Sequence, residues 1–238
     1  MQYPRAPIVE AIIELRFREA IDLDHARRAA DKFQQDFPVT EDQENYVVQV
    51  GGAGEVARQL EWAGRKRSNL EATDVLRVAT VAFTTMRLAP YAGWEQLFGR
   101  AQEQWARVRK ALGKPTVSRL GCRFINRLDI PGLRINIEDY LKFGPQVPDS
   151  LGLELGSYFI QASAHASSGG GFPVTFRSGL TPSPLVNHTS YLLDIDVQDE
   201  AVSFVNEDVI WERLAEMRHY KNKLFESCIT PKARALFS

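Results

Sequence analysis

Cysteine is scarce in this chain, and the two that occur, Cys122 and Cys228, lie far apart in the sequence. Neither belongs to a CxxC pair, which excludes a local thiolate zinc motif and a dense disulfide framework. Neither has a nearby residue that would activate a thiolate, which argues against a cysteine nucleophile. Such sparing use of cysteine is typical of a reducing compartment, and we expect a cytoplasmic location.

Histidine is also rare, and none of the four residues His25, His165, His188 and His219 is spaced from another as metal ligands usually are. No GxSxG motif is present, which excludes the nucleophile elbow of the α/β-hydrolases. The glycine-rich segment 167–171 lacks the Gly-Lys-Ser/Thr of a phosphate-binding loop and predicts a hairpin loop instead. The sequence therefore predicts no catalytic residue, metal site or cofactor, and favours a protein without enzymatic activity.

Long apolar runs are missing as well. No segment approaches the roughly 18 apolar residues that a membrane-spanning helix needs. The apolar stretch near the N-terminus is interrupted by Glu10 and Glu14, and no small-residue cleavage site follows it. We therefore predict neither a membrane span nor a signal peptide. With 44% hydrophobic and 25% charged residues, the composition is that of an ordinary globular protein.

The net charge of −1 conceals a segregation of charge along the chain. Residues 1–55 have 6 basic and 11 acidic side chains, residues 56–134 have 15 and 6, and residues 135–238 have 8 and 13. One interpretation is that the basic middle is neutralised by its acidic flanks when the chain folds. The other is that the middle forms a basic surface for an anionic partner such as nucleic acid.

Residues 118–130 are the stretch around which the chain is organised, and they read as a long strand. Because side chains alternate between the faces of a strand, Arg119, Arg123 and Arg127 share one face, while Leu120 and Phe124 lie on the other. Three arginines in a row on a central strand are unfavourable unless carboxylates, phosphates or water meet them. We therefore expect this face to be the polar centre of the fold.

Carboxylates that could meet these arginines occur in two other predicted strands. Residues 8–17 alternate between an apolar face and a charged one, and residues 190–197 place two aspartates on one face. If these strands are adjacent, one polar sheet face becomes the candidate binding site. Its predicted members are Glu10, Glu14, Arg16, Arg119, Arg123, Arg127, Asp194 and Asp196. A solvated cross-strand pair of opposite charges contributes roughly 0.2–1 kcal/mol, so pure charge neutralisation is an open alternative to ligand binding.

The order of predicted elements indicates an α+β fold. Residues 94–112 predict a long amphipathic helix that ends at Gly113, and residues 208–228 predict another that is capped by Asn206. Shorter helices are predicted from Asp22 or Asp24 to about residue 37, near 137–143, and after Thr230. Residues 75–88 predict one long strand with Arg77 and Phe83 on the same face. Further strands are predicted at 45–50, 58–66, 68–73, 153–164 and 173–178.

The elements group into two similar β-α-β(3–4)-α halves, residues 1–116 and 117–238. We expect the halves to form antiparallel sheet with the long helices packed on one face, as one compact pseudo-duplicated unit. No convincing residue-level repeat accompanies this similarity, so the duplication is inferred from the order of elements.

Several short segments resemble a sporadically distributed prokaryotic family of about this length that has no assigned function. The segments are 7–10, 15–17, Tyr91 with Gly93-Trp94, Arg119 with 123–127, 193–196, and 225–226 with 229–230. The resemblance implies a single-module protein of patchy occurrence, as in mobile, defence or toxin–antitoxin gene neighbourhoods, and it transfers no catalytic residue. Cys122 and Phe124 stand where the family usually has leucine and tyrosine, which removes a hydroxyl.

Three functional hypotheses follow from the sequence. The first is a non-enzymatic protein that binds a protein partner, as an accessory, immunity or antitoxin-like component. The second is a nucleic-acid or nucleotide binder that uses the basic middle segment. The third is a metal-dependent phosphohydrolase in which Glu10, Glu14, Asp194 and Asp196 hold metal beside the arginines. The Glu-x-Glu-x-Lys pattern of tunnel-type triphosphate hydrolases is absent, since Glu10 and Glu14 are four residues apart.

Overall fold

The computed structural model describes residues 3–50, 56–145, 156–165, 171–204 and 206–238. The predicted hairpin loop at 167–171 and the first residues of the strand predicted at 153–164 therefore lie mostly outside the described residues. Within the described ranges, nine strands and four α-helices follow one another, with one 3-10 helix at Ile137–Asp139. They are β1 (Ile8–Phe17), α1 (Leu23–Asp31), β2 (Val39–Val50), β3 (Val56–Ser68), β4 (Asp74–Val78), β5 (Ala82–Leu88), α2 (Trp94–Ala111), β6 (Val117–Pro131), β7 (Phe159–Ala164), β8 (Val174–Thr181), β9 (His188–Phe204), α3 (Glu207–Cys228) and α4 (Pro231–Ala235).

The described strands form one antiparallel sheet, in the order β2-β3-β4-β5-β1-β6-β9-β8-β7. The predicted α+β class with antiparallel sheet is confirmed. β1 and β6 pair antiparallel at the centre of this order, with Ile12 opposite Arg123 and Glu14 opposite Gly121. Strands from residues 1–116 thus occupy one side of the sheet, and strands from residues 117–238 occupy the other. None of the described helices combines the length and apolarity needed to cross a membrane.

The alternation predicted for the two central strands is confirmed. Ala11, Ile13 and Leu15 of β1 are fully buried, as are Leu120 and Leu128 of β6. On the other face, Glu14 of β1 and Arg119, Arg123 and Arg127 of β6 are only partly buried. Because neighbouring side chains on a strand point to opposite faces, burying one set fixes the charged set on the other face.

Helix α2 begins at Trp94 and ends at Ala111, close to the predicted bounds. Gly113 follows with a positive φ of 71°, a conformation that glycine adopts without strain. The buried stripe of the helix includes Trp105, whose ring centroid lies 6.1 Å from that of Phe17 and 5.8 Å from that of Phe83. Aromatic side chains bury about 150–250 Å² each, so these contacts are a large part of the packing between α2, β1 and β5.

Helix α3 runs from Glu207 to Cys228, close to its predicted bounds. Its predicted cap is also confirmed, since Asn206 accepts a hydrogen bond from the backbone N–H of Asp208 at 3.0 Å. Thr230 caps α4 in the same way, with Pro231 as its first residue. The side chain of Lys221 on α3 is almost completely buried. Its ammonium lies 3.8 Å from the centre of the Phe124 ring, and burial lowers its pKa to about 8.

The strand predicted at 75–88 is wrong, because a hairpin divides it into β4 and β5. The N–H of Ala79 donates to the carbonyl of Ala82 at 2.9 Å, so Thr80 and Val81 form a two-residue turn. The hairpin places Arg77 directly opposite Thr84, on the face away from Phe83. The turn has neither glycine nor proline, and its β-branched residues are typical of strands, so the sequence gives no turn signal.

Three smaller predictions also differ from the fold. Residues 69–73 are a turn rather than a strand, since Asn69 Oδ1 accepts hydrogen bonds from the N–H groups of Thr73 and Asp74. The first helix ends at Asp31, earlier than residue 37. The helix expected near 137–143 is only the 3-10 turn Ile137–Asp139, so no counterpart of α1 is found among the described residues of the second half.

We expect Lys221→Met to stabilise the fold at pH 7 by about 1–3 kcal/mol, since the ammonium is taken out of water without an ion pair. The folded pKa lies below the unfolded value of 10.5, so the charged form destabilises the native state fully below pH 8. This penalty declines as the pH rises from 8 to 10.5. Urea unfolding across this pH range measures it.

The matched control is Lys223→Met, two residues along the same helix and exposed. It should change the free energy of unfolding by less than about 0.5 kcal/mol at every pH. Equal behaviour of the two variants would contradict the assignment of the penalty to burial.

Candidate functional site

A cleft of about 350 Å³ opens on the charged face of the sheet. It lies over the central and N-terminal strands, and its size is within the range of small-ligand sites. We call it the cleft, and its lining residues are Glu10, Ile12, Glu14, Gln43, Lys66, Val75, Arg77, Thr84, Met86, Leu88, Arg119, Gly121, Arg123 and Asp196.

Strand register places the polar lining residues in a row across the sheet. Lys66 of β3 lies opposite Arg77 of β4, and Arg77 lies opposite Thr84 of β5. Thr84 lies opposite Glu14 of β1, and Glu14 lies opposite Gly121 of β6. A Cβ atom on Gly121 would come within 3.3 Å of the Cβ of Glu14. The glycine therefore leaves the room that the Glu14 side chain needs.

A second row begins apolar and ends charged. Val75 lies opposite Met86, and Met86 lies opposite Ile12. Across β1 the row continues with Arg123 opposite Ile12 and Asp196 opposite Arg123. This second row therefore has apolar side chains on β4, β5 and β1, which form the floor of the cleft, and charged side chains on β6 and β9.

Arg119 is neutralised by carboxylates of both neighbouring strands. Its Nη1 donates to Glu14 at 2.9 Å, and its Nε lies 3.4 Å from Glu200. Arg16 sits directly opposite Arg119, and its Nε lies 3.4 Å from the same Glu14 oxygen. Glu14 thus offsets the repulsion between two arginines that face one another across the β1–β6 pair.

Arg123 forms an ion pair with a buried carboxylate of β9, Asp194. Its Nε and Nη2 donate to the two oxygens of Asp194 at 2.9 and 2.7 Å, which is a bidentate arrangement. Asp194 also accepts from Arg177 of β8 at 3.1 Å and is only 5% exposed. Its hydrogen bonds fix both arginines.

Arg127 does not take part in this network. Its Nε donates to Asp129, two residues along the same strand, at 2.9 Å, and it does not line the cleft. Of the eight predicted site residues, the cleft brings together Glu10, Glu14, Arg119, Arg123 and Asp196. Asp194 and Arg16 do not line the cleft, but they form ion pairs with two residues that do, Arg123 and Glu14.

Glu10 differs from the other carboxylates of the cleft, because its side chain makes no hydrogen bond or ion pair within the described residues. Burial raises its pKa, although the positive charge of Arg123 partly offsets the effect. Burial also raises the pKa of Asp196, which accepts one hydrogen bond from Gln198 at 3.1 Å. Two of the cleft carboxylates are therefore held in surroundings that disfavour their charge.

Four polar lining residues, Gln43, Lys66, Arg77 and Thr84, were not among the predicted site residues. Lys66 pairs with Glu41 of β2 at 3.2 Å, on the rim of the cleft. Arg77 donates from Nη1 to Gln43 at 3.2 Å and has no carboxylate partner in the described part of the chain. Only the position of the hairpin turn between β4 and β5 could have identified Arg77, and the sequence does not reveal it.

Seven of the fifteen basic side chains of the middle segment pair with carboxylates of the acidic flanks in the described part of the chain, which favours the first interpretation of the charge pattern. Arg65 donates to Asp42 at 2.7 Å and to Asp31 at 3.0 Å. Other pairs between the middle and the flanks are Lys66–Glu41, Arg67–Asp31, Arg107–Asp36, Arg109–Glu207, Arg119–Glu14 and Arg123–Asp194. These paired charges therefore stabilise the fold rather than forming an unpaired basic surface.

Across the described residues, no three His, Cys, Asp or Glu side chains cluster in a way that would hold a metal ion. The chain matches none of the protein-family models and none of the curated proteins with which it was compared.

We expect Asp194→Asn to destabilise the protein by about 2–4 kcal/mol, because it leaves Arg123 and Arg177 partly buried without their carboxylate. Urea unfolding at pH 7 measures the change. Glu200→Gln is the control, since Glu200 is 70% exposed and meets Arg119 at only 3.4 Å. It should cost less than about 0.5 kcal/mol. Similar losses in both variants would contradict the structural role given to Asp194.

Unlike Asp194→Asn, Glu10→Gln should raise the free energy of unfolding at pH 7. Since the folded pKa of Glu10 is raised, the ionised carboxylate destabilises the native state above that pKa. The gain should disappear as the pH falls below the ordinary value of 4.5, where both states are protonated. Glu14→Gln is the comparison. It should destabilise at pH 7 because it removes the partner of Arg119 and Arg16.

Proposed function

We propose that this protein is a non-enzymatic binding protein that holds a protein partner in the cleft. The observation that carries the proposal is the pairing of the cleft cations. Lys66, Arg119 and Arg123 are each held by a carboxylate of the protein itself. Side chains fixed in this way form a preorganised surface, which reduces the entropy lost on binding.

The composition of the cleft suits a protein surface better than a uniformly charged ligand. Four cations and three carboxylates line it, for a formal charge of +1 when all are ionised. Ile12, Val75, Met86 and Leu88 supply an apolar area beside them. Apolar contact combined with matched charges is the usual make-up of protein–protein interfaces.

The nucleic-acid hypothesis has weaker support. Binding to a phosphate backbone requires several cations that are free to replace counterions. Among the cleft cations, Arg77 alone has no carboxylate within ion-pair distance in the described residues.

The phosphohydrolase hypothesis has weaker support as well. Carboxylates that bind metal must offer free oxygen atoms. Glu14 and Asp194 instead accept hydrogen bonds from Arg119, Arg123 and Arg177.

We also infer that the two halves of the chain are a pseudo-duplication whose long helices pack on one face of the sheet. The antiparallel pairing of β1 with β6 at the centre of the sheet supports it. Phe124 of β6 supports the helix packing, since its ring meets Trp94 of α2 at 6.3 Å and the ammonium of Lys221 of α3 at 3.8 Å. With the helices on that face, the cleft face is left for a partner.

The role as an accessory, immunity or antitoxin-like component rests on the family resemblance alone.

Affinity capture from a lysate of the source organism tests the proposal. The bait is the wild-type chain, and the cleft variant is Met86→Lys. Its unbranched stem keeps the packing of methionine, and it adds a charge on the apolar floor. We expect wild type to retain a defined protein at a fixed ratio and Met86→Lys to retain at least about tenfold less, the loss expected for one buried interface charge.

The matched control is Val209→Lys, which makes the same kind of change at a residue of α3 that is 40% exposed and outside the cleft. It should retain the partner as wild type does. Equal retention by Met86→Lys would place the interface elsewhere. Capture of nucleic acid, with a steep dependence on salt, would favour the second hypothesis instead.

A further inference from the structure

We propose that Arg77, with Lys66 and Gln43, forms a subsite for a carboxylate group attached to an apolar body. The inference rests on the proposed function only in that both use the same cleft. It names the chemical group that the N-terminal end of the cleft accepts, and it holds for a free small carboxylate as well as for a carboxylate of a partner protein.

The bonding of Arg77 is incomplete in a way that a ligand would correct. Its Nη1 donates to Gln43, and its Nε is buried without a hydrogen-bond partner. Within the described residues the guanidinium makes no ion pair. A buried donor left unpaired costs about 1–3 kcal/mol, and more when it is charged. A carboxylate in the cleft can accept hydrogen bonds from the Nη groups of this guanidinium and supply the counter-charge that it lacks among the described residues.

Lys66 supplies a second cation to the same place. It lies directly opposite Arg77 on the neighbouring strand, an arrangement of like charges that is destabilising in the absence of an anion. The carboxylate that meets it, Glu41 at 3.2 Å, is 61% exposed. The two cations and Glu41 sum to a formal charge of +1, which one bound carboxylate neutralises. Glu10 of the cleft also interacts with Lys66, but burial raises its pKa and so disfavours a compensating negative charge there.

The surroundings favour a singly charged anion over a phosphate dianion. Thr84 lies next to Arg77 across the sheet, and Glu14 lies next to Thr84. Glu14 is already paired with Arg119 and Arg16, and a dianion beside Arg77 would exceed the formal charge of +1 left by Arg77, Lys66 and Glu41. A monoanion therefore fits the electrostatics of this end of the cleft better than phosphate does.

An apolar floor adjoins the cations. Val75 precedes Arg77 by two residues on β4 and so points to the same face, and Met86 and Ile12 continue its row. An alkyl chain attached to the carboxylate can cover these side chains, and each buried methylene contributes about 0.8 kcal/mol. The ligand class is therefore an amphipathic carboxylate.

Titration of the 238-residue chain with sodium hexanoate, acetate and phosphate at constant ionic strength, followed by NMR, tests the inference. We expect hexanoate to shift the amide signals of β3 to β5 and to bind at least about tenfold more tightly than acetate, because of the apolar floor. Arg77→Met should weaken hexanoate binding by about tenfold or more, as expected for loss of a charge-assisted hydrogen bond. Phosphate should not compete.

Two further variants make the result specific. Arg77→Lys keeps the charge without the fork and should bind hexanoate with an intermediate affinity, so it serves even if Arg77→Met fails to fold. Lys110→Met, an exposed cation of α2 outside the cleft, should bind as wild type does. Unchanged hexanoate affinity in both Arg77 variants, or tighter binding of phosphate than of hexanoate, would overturn the subsite. Hexanoate binding without any captured protein would retain the subsite and remove the protein partner.

Discussion

An arginine in the middle of a sheet must be matched by a carboxylate, because an unpaired charge that is even partly removed from water is costly. Arg123 meets this requirement through Asp194, which in turn fixes Arg177. Much of the architecture follows from that pairing. β9 must lie beside β6 to bring Asp194 within reach, and β8 must lie beside β9 to bring Arg177.

The same requirement explains why the charged face is largely structural on its C-terminal side and incomplete on its N-terminal side. Arg119 and Arg123 are central in the sheet and are each paired. Arg77 and Lys66 lie on β4 and β3, where the cleft is nearest to its rim. There solvent or a ligand can meet a charge that the protein does not neutralise. A structural arginine and a ligand-binding arginine on this face are thus distinguished by whether a carboxylate of the protein pairs with them.

Local patterns in the sequence were enough to predict the central strands and the long helices. The period-two burial of β6 and the apolar stripe of α2 each arise within one continuous element, so alternation or helical spacing reveals them. The β4–β5 hairpin was missed because Thr80 and Val81 have no turn chemistry. A two-residue turn also reverses which residues share a face, so Arg77 was grouped with Phe83 although it lies with Thr84. The opposition of Arg77 and Lys66 depends on strand pairing, which no local pattern encodes.

The two halves are consequently unequal in what they can do, although their order of elements is similar. The second half supplies Asp194, which pairs with Arg123 of β6 and also accepts a hydrogen bond from Arg177 of β8. The first half supplies Arg77, whose buried Nε has no partner among the described residues, next to an apolar floor. Binding energy is available where donors are unsatisfied and apolar surface is exposed. Recognition is therefore expected on the N-terminal side of the β1–β6 pair, with the C-terminal side holding the central arginines in place.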